Sequence, residues 1–180
     1  MRFKLVPEPP DATARLAEAQ RAVPLVPGTE DDCCARLMRR LDFPSRDVAR
    51  TWLTFLRALE LIEERDAGFV RRAQDPTTEH LRRAFIDRVY GAQEVLDVLG
   101  PEPQDADAVF ERFEERVPEW EHYKDPAGWR ETWRGRVGRL LEWAVLLGLA
   151  DRRQEGYVVS ETAPSDGVEG SGGEDEDGTR

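Results

Sequence analysis

Few side chains of this chain have types and spacing that fit catalysis or metal binding. His80 and His122 are the only histidines, and Cys33 and Cys34 are the only cysteines. No nucleophile stands in a supporting histidine context, and no glycine-rich phosphate loop follows a predicted strand. Two adjacent cysteines can build neither a four-ligand metal cage nor a disulfide framework. The sequence therefore predicts no enzyme activity, no catalytic or metal-binding residues and no cofactor.

Arginine is the residue whose spacing is informative. One face of the helix predicted after Ser45 is apolar and consists of Val48, Trp52, Phe55, Leu56 and Leu59. The opposite face carries Arg46, Arg50, Thr54 and Arg57. Guanidinium groups in such a stripe suit DNA phosphates and base edges. A solvated face balanced by Asp47 and Glu60 is the alternative.

The end of this helix belongs to a segment that occurs twice. Adding 88 to each number aligns Leu53–Val70 with Leu141–Val158 without a gap, so that Arg65 falls on Arg153 and Gly68 on Gly156. Each copy reads as a helix end, a short strand, a charged turn closed by glycine, and a second strand. A repeat of this period indicates two copies of one unit.

Capping residues and apolar spacing predict further helices before each repeated segment. In the first copy these begin at Asp11 and Thr29 and bury residues that include Cys34, Leu37, Met38 and Leu41, with one cysteine facing the core and the other aside. In the second copy helices are predicted from Thr77 or Thr78, over Ala92–Leu99, from Asp105 or Asp107, and from Trp129 to Leu147. Glu119–Gly128 has no counterpart in the first copy.

The order helix, helix, turn, helix, wing resembles the winged-helix variant of the helix-turn-helix. The resemblance covers Asp11–Arg72 and Thr77–Val159, and it implies a mainly α fold with small β-hairpin wings and two winged-helix domains in tandem. The predicted division is an N-terminal arm over 1–10, winged-helix domains over 11–74 and 75–159, and a disordered acidic tail over 160–180. The arm, which is interrupted by prolines, is expected to be loose or an edge strand.

The resemblance further implies that the third helix of each copy enters the DNA major groove and that the wing touches the backbone. The predicted DNA-binding residues are Arg46, Arg50, Thr54, Arg57, Arg65, Arg71, Arg72, Arg130 and Arg134. The outer stripe of the second third-helix carries Gly135 and Gly138. These glycines predict a close approach there by DNA, by another protein or by the first domain of the same chain.

The charge balance keeps two functions open. The 37 acidic and 26 basic residues give a net charge of −11, of which −6 lies in residues 161–180. Only Lys4 and Lys124 are lysines, which resembles haloarchaeal proteins and would equally follow from GC-rich codons. A DNA-binding transcriptional regulator or accessory factor for double-stranded DNA is the first prediction. A tandem winged-helix protein adaptor, of the chromosome-segregation or scaffold type and with a partner on the second domain, is the alternative.

The chain has no apolar run long enough to cross a membrane and no signal peptide at Met1–Pro10. The sequence therefore predicts a soluble, cytoplasmic protein without a membrane partner.

Overall fold

A computed structural model describes residues 2–161 of the chain. The predicted mainly α fold with two small β wings is confirmed. In chain order the elements are α1 (Ala14–Ala22), α2 (Glu30–Leu41), α3 (Arg46–Ala58), β1 (Ile62–Arg65), β2 (Gly68–Arg71), α4 (Thr78–Arg88), α5 (Ala92–Val98), α6 (Ala106–Phe113), a 3₁₀ turn (Glu114–Arg116), α7 (Glu119–Lys124), α8 (Trp129–Leu146), β3 (Ala150–Arg153) and β4 (Gly156–Val159).

Side-chain caps set the start of four helices. Each cap accepts a hydrogen bond from a backbone N–H three residues further on, which satisfies a donor that the helix leaves free. These predicted caps are confirmed: Thr29, Ser45, Thr77 and Asp105. The predicted cap Asp11 is wrong, because α1 begins later, at Ala14, after a Thr13 that makes no capping bond.

The two wings have the same register in both copies. Arg65 pairs with Gly68 in the first antiparallel hairpin, and Arg153 pairs with Gly156 in the second. Gly68 has a φ of +125° and Gly156 a φ of +140°, values that side-chain-bearing residues rarely adopt. A Cβ at either glycine would also collide with the backbone of the loop beside it. Both glycines are therefore required for the wings to close.

Each wing gains a third strand-like segment that the sequence did not reveal. Gly28 and Phe69 exchange both backbone hydrogen bonds, at 2.9 and 2.8 Å. Gln104 and Tyr157 do the same in the second copy, at 3.1 and 2.8 Å. The loop before α2 in the first copy, and the loop before α6 in the second, thus join the wing to the helices.

One continuous apolar cluster runs through both copies. The N-terminal arm is part of it, since Phe3 and Val6 are buried. The Phe3 backbone accepts from Tyr90 N–H at 2.9 Å and donates to the Arg88 carbonyl at 2.7 Å. The expectation of a loose arm is wrong, whereas the edge-strand alternative is close to what the arm does.

The third helices of the two copies pack against each other. The ring centroids of Phe55 on α3 and Trp143 on α8 lie 4.5 Å apart, and Trp52 meets the same indole at 6.1 Å. The Trp143 indole N–H donates to the Pro7 carbonyl at 2.8 Å. The arm thus closes the junction between the two third helices.

α4 binds the ends of both third helices. His80 Nε2 lies 2.7 Å from the Leu59 carbonyl oxygen. Arg82 Nε donates to the Leu147 carbonyl at 2.6 Å. Leu59 and Leu147 are equivalent in the repeat, so one helix satisfies the same otherwise free carbonyl in each copy.

Several core residues differ from the predictions. Cys33 and Cys34 are both buried, so the expectation that one cysteine points aside is wrong. Burial raises the pKa of the Cys33 thiol to about 11, which keeps it protonated and unreactive at neutral pH. Met38 and Val48 are only half-buried, because each lies at the edge of its helix's apolar face.

Candidate nucleic-acid interface

α3 presents an exposed N-terminal half and a covered C-terminal half. The Arg46 and Arg50 side chains are 51% and 47% exposed. Thr54 and Arg57, further along the same stripe, are half-buried. The structure therefore places all four predicted residues along α3 but leaves only the first two exposed.

Carboxylates of the same chain already contact these two arginines. Arg46 pairs with Asp31 and lies 3.8 Å from Glu30. Arg50 Nε donates to Glu30 at 3.0 Å and lies 3.9 Å from Asp47. Glu30 and Asp31 stand in the first turn of α2, where the helix dipole favours negative charge. The exposed end of α3 is therefore close to neutral, and a DNA phosphate would have to displace these carboxylates.

Arg57 is tied into the fold. Its side chain, 28% exposed, pairs with Glu64 on the first wing. Its guanidinium also lies 5.0 Å from the Phe3 ring centroid, and the Arg88 guanidinium lies 5.5 Å from the same centroid. The sequence placed Arg57 on the face opposite the core, and the structure leaves it only half-buried there, because Phe3 of the arm and Glu64 of the wing contact its guanidinium.

The predicted wing residues differ from one another. Arg65 is exposed at the wing tip and donates to Glu63 at 2.6 Å. Arg71 is half-buried, and its backbone N–H donates to the Pro24 carbonyl at 2.8 Å. Arg72 is exposed, and no ion pair to its side chain occurs among residues 2–161. Arg72 is thus the one predicted wing residue that is both exposed and without a carboxylate partner in the described chain.

The second unit holds its two predicted arginines in the same manner. Arg130 pairs with Glu114, and Arg134 Nε lies 2.7 Å from Asp107. Both guanidinium groups also lie over the Phe110 ring, at 5.5 and 5.2 Å from its centroid. These contacts brace α8 against the segment before it.

The glycines of α8 are not covered by the first unit. A Cβ built on Gly135 or Gly138 would meet nothing within 4 Å. The expectation that the first domain approaches the backbone there is therefore wrong for the described part of the chain. Gly135 instead lines an open cleft with Thr51 of α3 and Leu5 of the arm.

A profile of the halobacterial double winged helix domain family matches residues 1–164. The chain belongs to this family. The match confirms the resemblance to haloarchaeal tandem winged-helix proteins that the residues suggested. Neither a curated protein nor a solved structure matches the chain.

The α7 insertion of this double winged helix protein holds a buried ion pair. Lys4 of the arm donates to Glu121 at 2.9 Å. Burial alone would raise the pKa of Glu121, but the hydrogen bond and charge of Lys4, together with the charge of Arg136, outweigh burial and lower it. Burial lowers the pKa of Arg136. The insertion therefore fastens the arm to the second unit.

The remaining aromatic residues of the insertion face outward or stack. His122 stacks on Trp129 with ring centroids 3.9 Å apart, so Trp129 has an intramolecular partner. Trp120 and Tyr123 remain 52% and 75% exposed. Lys4 lies 3.7 Å from the Trp120 ring centroid.

Sequence reasoning missed one set of basic residues on the double winged helix. They lie on α1 and on α2, outside the third helices to which the resemblance pointed; they are Arg21, Arg36, Arg39 and Arg40. The signal in the sequence was the spacing of Arg36, Arg39 and Arg40, which are three and one residues apart on a helix whose first turn is acidic.

No helix among the described residues is both long and apolar enough to span a membrane. The same residues contain no cluster of three or more histidines, cysteines or carboxylates that could hold a metal ion.

Proposed function

We propose that this double winged helix protein is a non-enzymatic regulator that binds double-stranded DNA through its first unit. The observation that carries the proposal is the exposed N-terminal half of α3 with Arg46 and Arg50, together with the exposed Arg65 at the tip of the first wing. In the resembled fold, this end of the third helix enters the major groove. Arg46 and Arg50 would then meet bases or phosphates, and Arg65 and Arg72 the backbone.

The intramolecular ion pairs do not preclude this function. Ion pairs between exposed side chains contribute about 0–1 kcal/mol, whereas bidentate arginine–phosphate contacts are stronger and several form together. The carboxylates would still repel DNA and lower its affinity. We therefore expect weak binding that depends steeply on salt, with contacts to phosphate dominating.

Fluorescence anisotropy of a labelled generic duplex, repeated over a series of salt concentrations, tests the proposal. Arg46→Gln with Arg50→Gln should weaken binding and reduce the slope of log affinity against log salt by about 2. The matched control is Arg83→Gln with Arg139→Gln, two exposed arginines that are also ion-paired but lie outside the proposed interface. Equal losses of DNA affinity in both variants would mean that only the net charge of the protein matters, which would contradict the proposed interface.

Arg130→Gln with Arg134→Gln forms a third arm of the experiment. We expect little change in DNA affinity, because both arginines are held by contacts around Phe110. A loss equal to that of the Arg46 and Arg50 variant would assign the second unit an equal share in the interface.

A protein adaptor is the second candidate, and the exposed pair Trp120 and Tyr123 favours it. Aromatic residues in such positions are common anchors of protein interfaces. On this alternative, the duplex would not bind even at low salt. Trp120→Ala with Tyr123→Ala would then abolish complex formation with the adaptor's protein partner while leaving the melting temperature unchanged.

A further inference from the structure

Arginines without a carboxylate partner are concentrated in the first unit. Among residues 2–161, five such arginines lie on α1, on α2 and directly after β2, and no carboxylate oxygen lies within 4.0 Å of their side-chain nitrogens. These residues, which we call the arginine cluster, are Arg21, Arg36, Arg39, Arg40 and Arg72. By contrast, every predicted DNA-contacting arginine of α3 and α8 is ion-paired.

Hydrogen bonds from side chains to backbone carbonyls bring the three segments of the arginine cluster together. Arg36, Arg39 and Arg40 are spaced so that they share one face of α2. Arg40 Nη1 donates to the Arg21 carbonyl at 3.2 Å, which joins α2 to the end of α1. Gln20, next to Arg21, donates to the Arg72 carbonyl at 3.2 Å and so holds the chain after β2 against α1.

This arrangement leaves positive charge uncompensated in a strongly acidic protein. Guanidinium groups on neighbouring turns repel one another, and a polyanion placed across them removes that repulsion. Carboxylates can pair with guanidinium groups through two hydrogen bonds each. The electrostatics therefore fit a short acidic peptide.

We propose that the arginine cluster binds the acidic C-terminal segment of the same molecule, residues 174–177. That segment reads Glu-Asp-Glu-Asp and belongs to a stretch, 161–180, with a net charge of −6. Its charge is complementary to the arginine cluster. Covalent attachment gives it an effective concentration on the order of millimolar, which favours it over a free anion.

The length of the connecting chain permits the contact. Glu161 is the last described residue, and twelve residues separate it from Glu174, a contour of up to about 45 Å. A compact protein of this size has a radius of gyration of about 16 Å. The acidic segment can therefore reach the first unit from the end of the second wing.

Paramagnetic broadening in the full-length protein tests the contact. A spin label is attached at Ser171→Cys, and Cys33 and Cys34 remain unlabelled because both are buried. At 0.1 M salt, the label should selectively broaden the backbone amide signals of Arg21 and of residues 36–40. In 1 M salt the broadening should be lost, since the Debye length falls to about 3 Å.

Two charge variants and one control assign the contact. The broadening should disappear when Glu174, Asp175, Glu176 and Asp177 become the corresponding amides, and also in Arg36→Gln, Arg39→Gln, Arg40→Gln. It should persist in Arg65→Gln, Arg152→Gln, Arg153→Gln, which removes the same charge from the wing tips. Broadening centred elsewhere, or broadening that survives neutralisation of the arginine cluster, overturns the proposal.

Dependence on protein concentration identifies the molecule that supplies the acidic segment. Broadening that is constant on dilution supports binding within one molecule. Broadening that fades on dilution would make a second copy of this chain the occupant and overturn the intramolecular assignment. Neither outcome bears on DNA binding by Arg46 and Arg50, so the two proposals fail separately.

Discussion

Phe55 and Trp143 occupy equivalent positions of the 88-residue repeat, and their rings contact each other with centroids 4.5 Å apart. A contact between equivalent residues is the mark of an approximately twofold arrangement, in which one surface meets its own counterpart. The apolar face that the sequence assigned to the core of each third helix thus also supplies the junction between the two units.

The first prediction concerns this junction. Trp143→Ala should lower the free energy of unfolding by about 3–5 kcal/mol, because it leaves a cavity in a core shared by both units. Urea unfolding, followed by far-UV circular dichroism, should show a single transition at a lower midpoint. Trp143→Phe is the control. It keeps a ring against Phe55 but loses the hydrogen bond to Pro7, and it should cost about 1 kcal/mol. Two separate transitions would instead show units that fold independently on either side of the predicted boundary between residues 74 and 75.

The second prediction concerns the carboxylates that neutralise α3. Glu30→Gln with Asp31→Asn should raise the affinity for duplex DNA and steepen its salt dependence, because Arg46 and Arg50 become free for phosphate. The same variant should lose about 0.5–2 kcal/mol of stability, since both carboxylates lie in the favourable first turn of α2. Anisotropy titration and thermal unfolding measure the two effects. Unchanged DNA affinity would count against the exposed end of α3 as the contact surface.

The third prediction separates Arg57 from its neighbours. Arg57→Ala should cost about 1–2 kcal/mol, because the side chain packs between the arm and the first wing. Arg50→Ala should stay within about 0.5 kcal/mol of the parent, as exposed substitutions usually do. Thermal unfolding of the two variants in parallel makes the comparison. Equal melting temperatures would mean that the arm does not use Arg57 as a support.

The fourth prediction concerns pH. The folded pKa of Glu121 lies below its ordinary value of 4.5. The folded state therefore binds this proton less readily than the unfolded state, and the stabilisation is complete above about pH 4.5 and lost as the pH falls through the folded pKa. Glu121→Gln should destabilise the protein by about 2 kcal/mol at pH 7 and by less in acid. Glu111→Gln, at an exposed site on α6, is the control. A stability difference that does not depend on pH would contradict the ion pair with Lys4.

The fifth prediction uses the open glycines of α8. Gly135→Ala with Gly138→Ala should stabilise the protein by about 1 kcal/mol for each site, because alanine favours the helix and its Cβ meets nothing within 4 Å. Thermal unfolding measures the gain. A variant that is more stable but has lost DNA or partner binding would identify this stripe as a contact surface. Loss of stability would mean that the site is not open.

Local signals were sufficient to predict both wings and the α-helices other than α7, which lies in the insertion for which no helix was predicted. The caps Thr29 and Ser45 and the glycine of the wing, Gly68, depend on interactions within a few residues, so the sequence shows them directly. The prediction of a loose arm failed because the arm is held by contacts with residues far away in the sequence. Phe3 bonds to residues 88 and 90, and periodicity within a segment carries no information about pairing at such separations.

In the candidate site, too, local features could be predicted from the sequence and tertiary contacts could not. Placing Arg46, Arg50 and Arg57 on one face of a helix needed only a helical wheel. Arg57 is partly covered because the Phe3 ring packs against its guanidinium, and Arg46 is neutralised because Asp31 of α2 pairs with it. Both facts depend on tertiary packing. A wheel assigns directions around one helix and cannot report what lies opposite each direction.

The double anchorage on α4 sets a geometric limit on any partner. His80 holds the end of α3 and Arg82 holds the end of α8, so neither third helix can turn without breaking a bond to the same short helix. Proteins whose two binding domains are joined by a flexible linker accept targets at several spacings. Here the distance and angle between α3 and α8 are fixed by α4. A target that contacts both third helices must therefore present its two sites at one fixed separation.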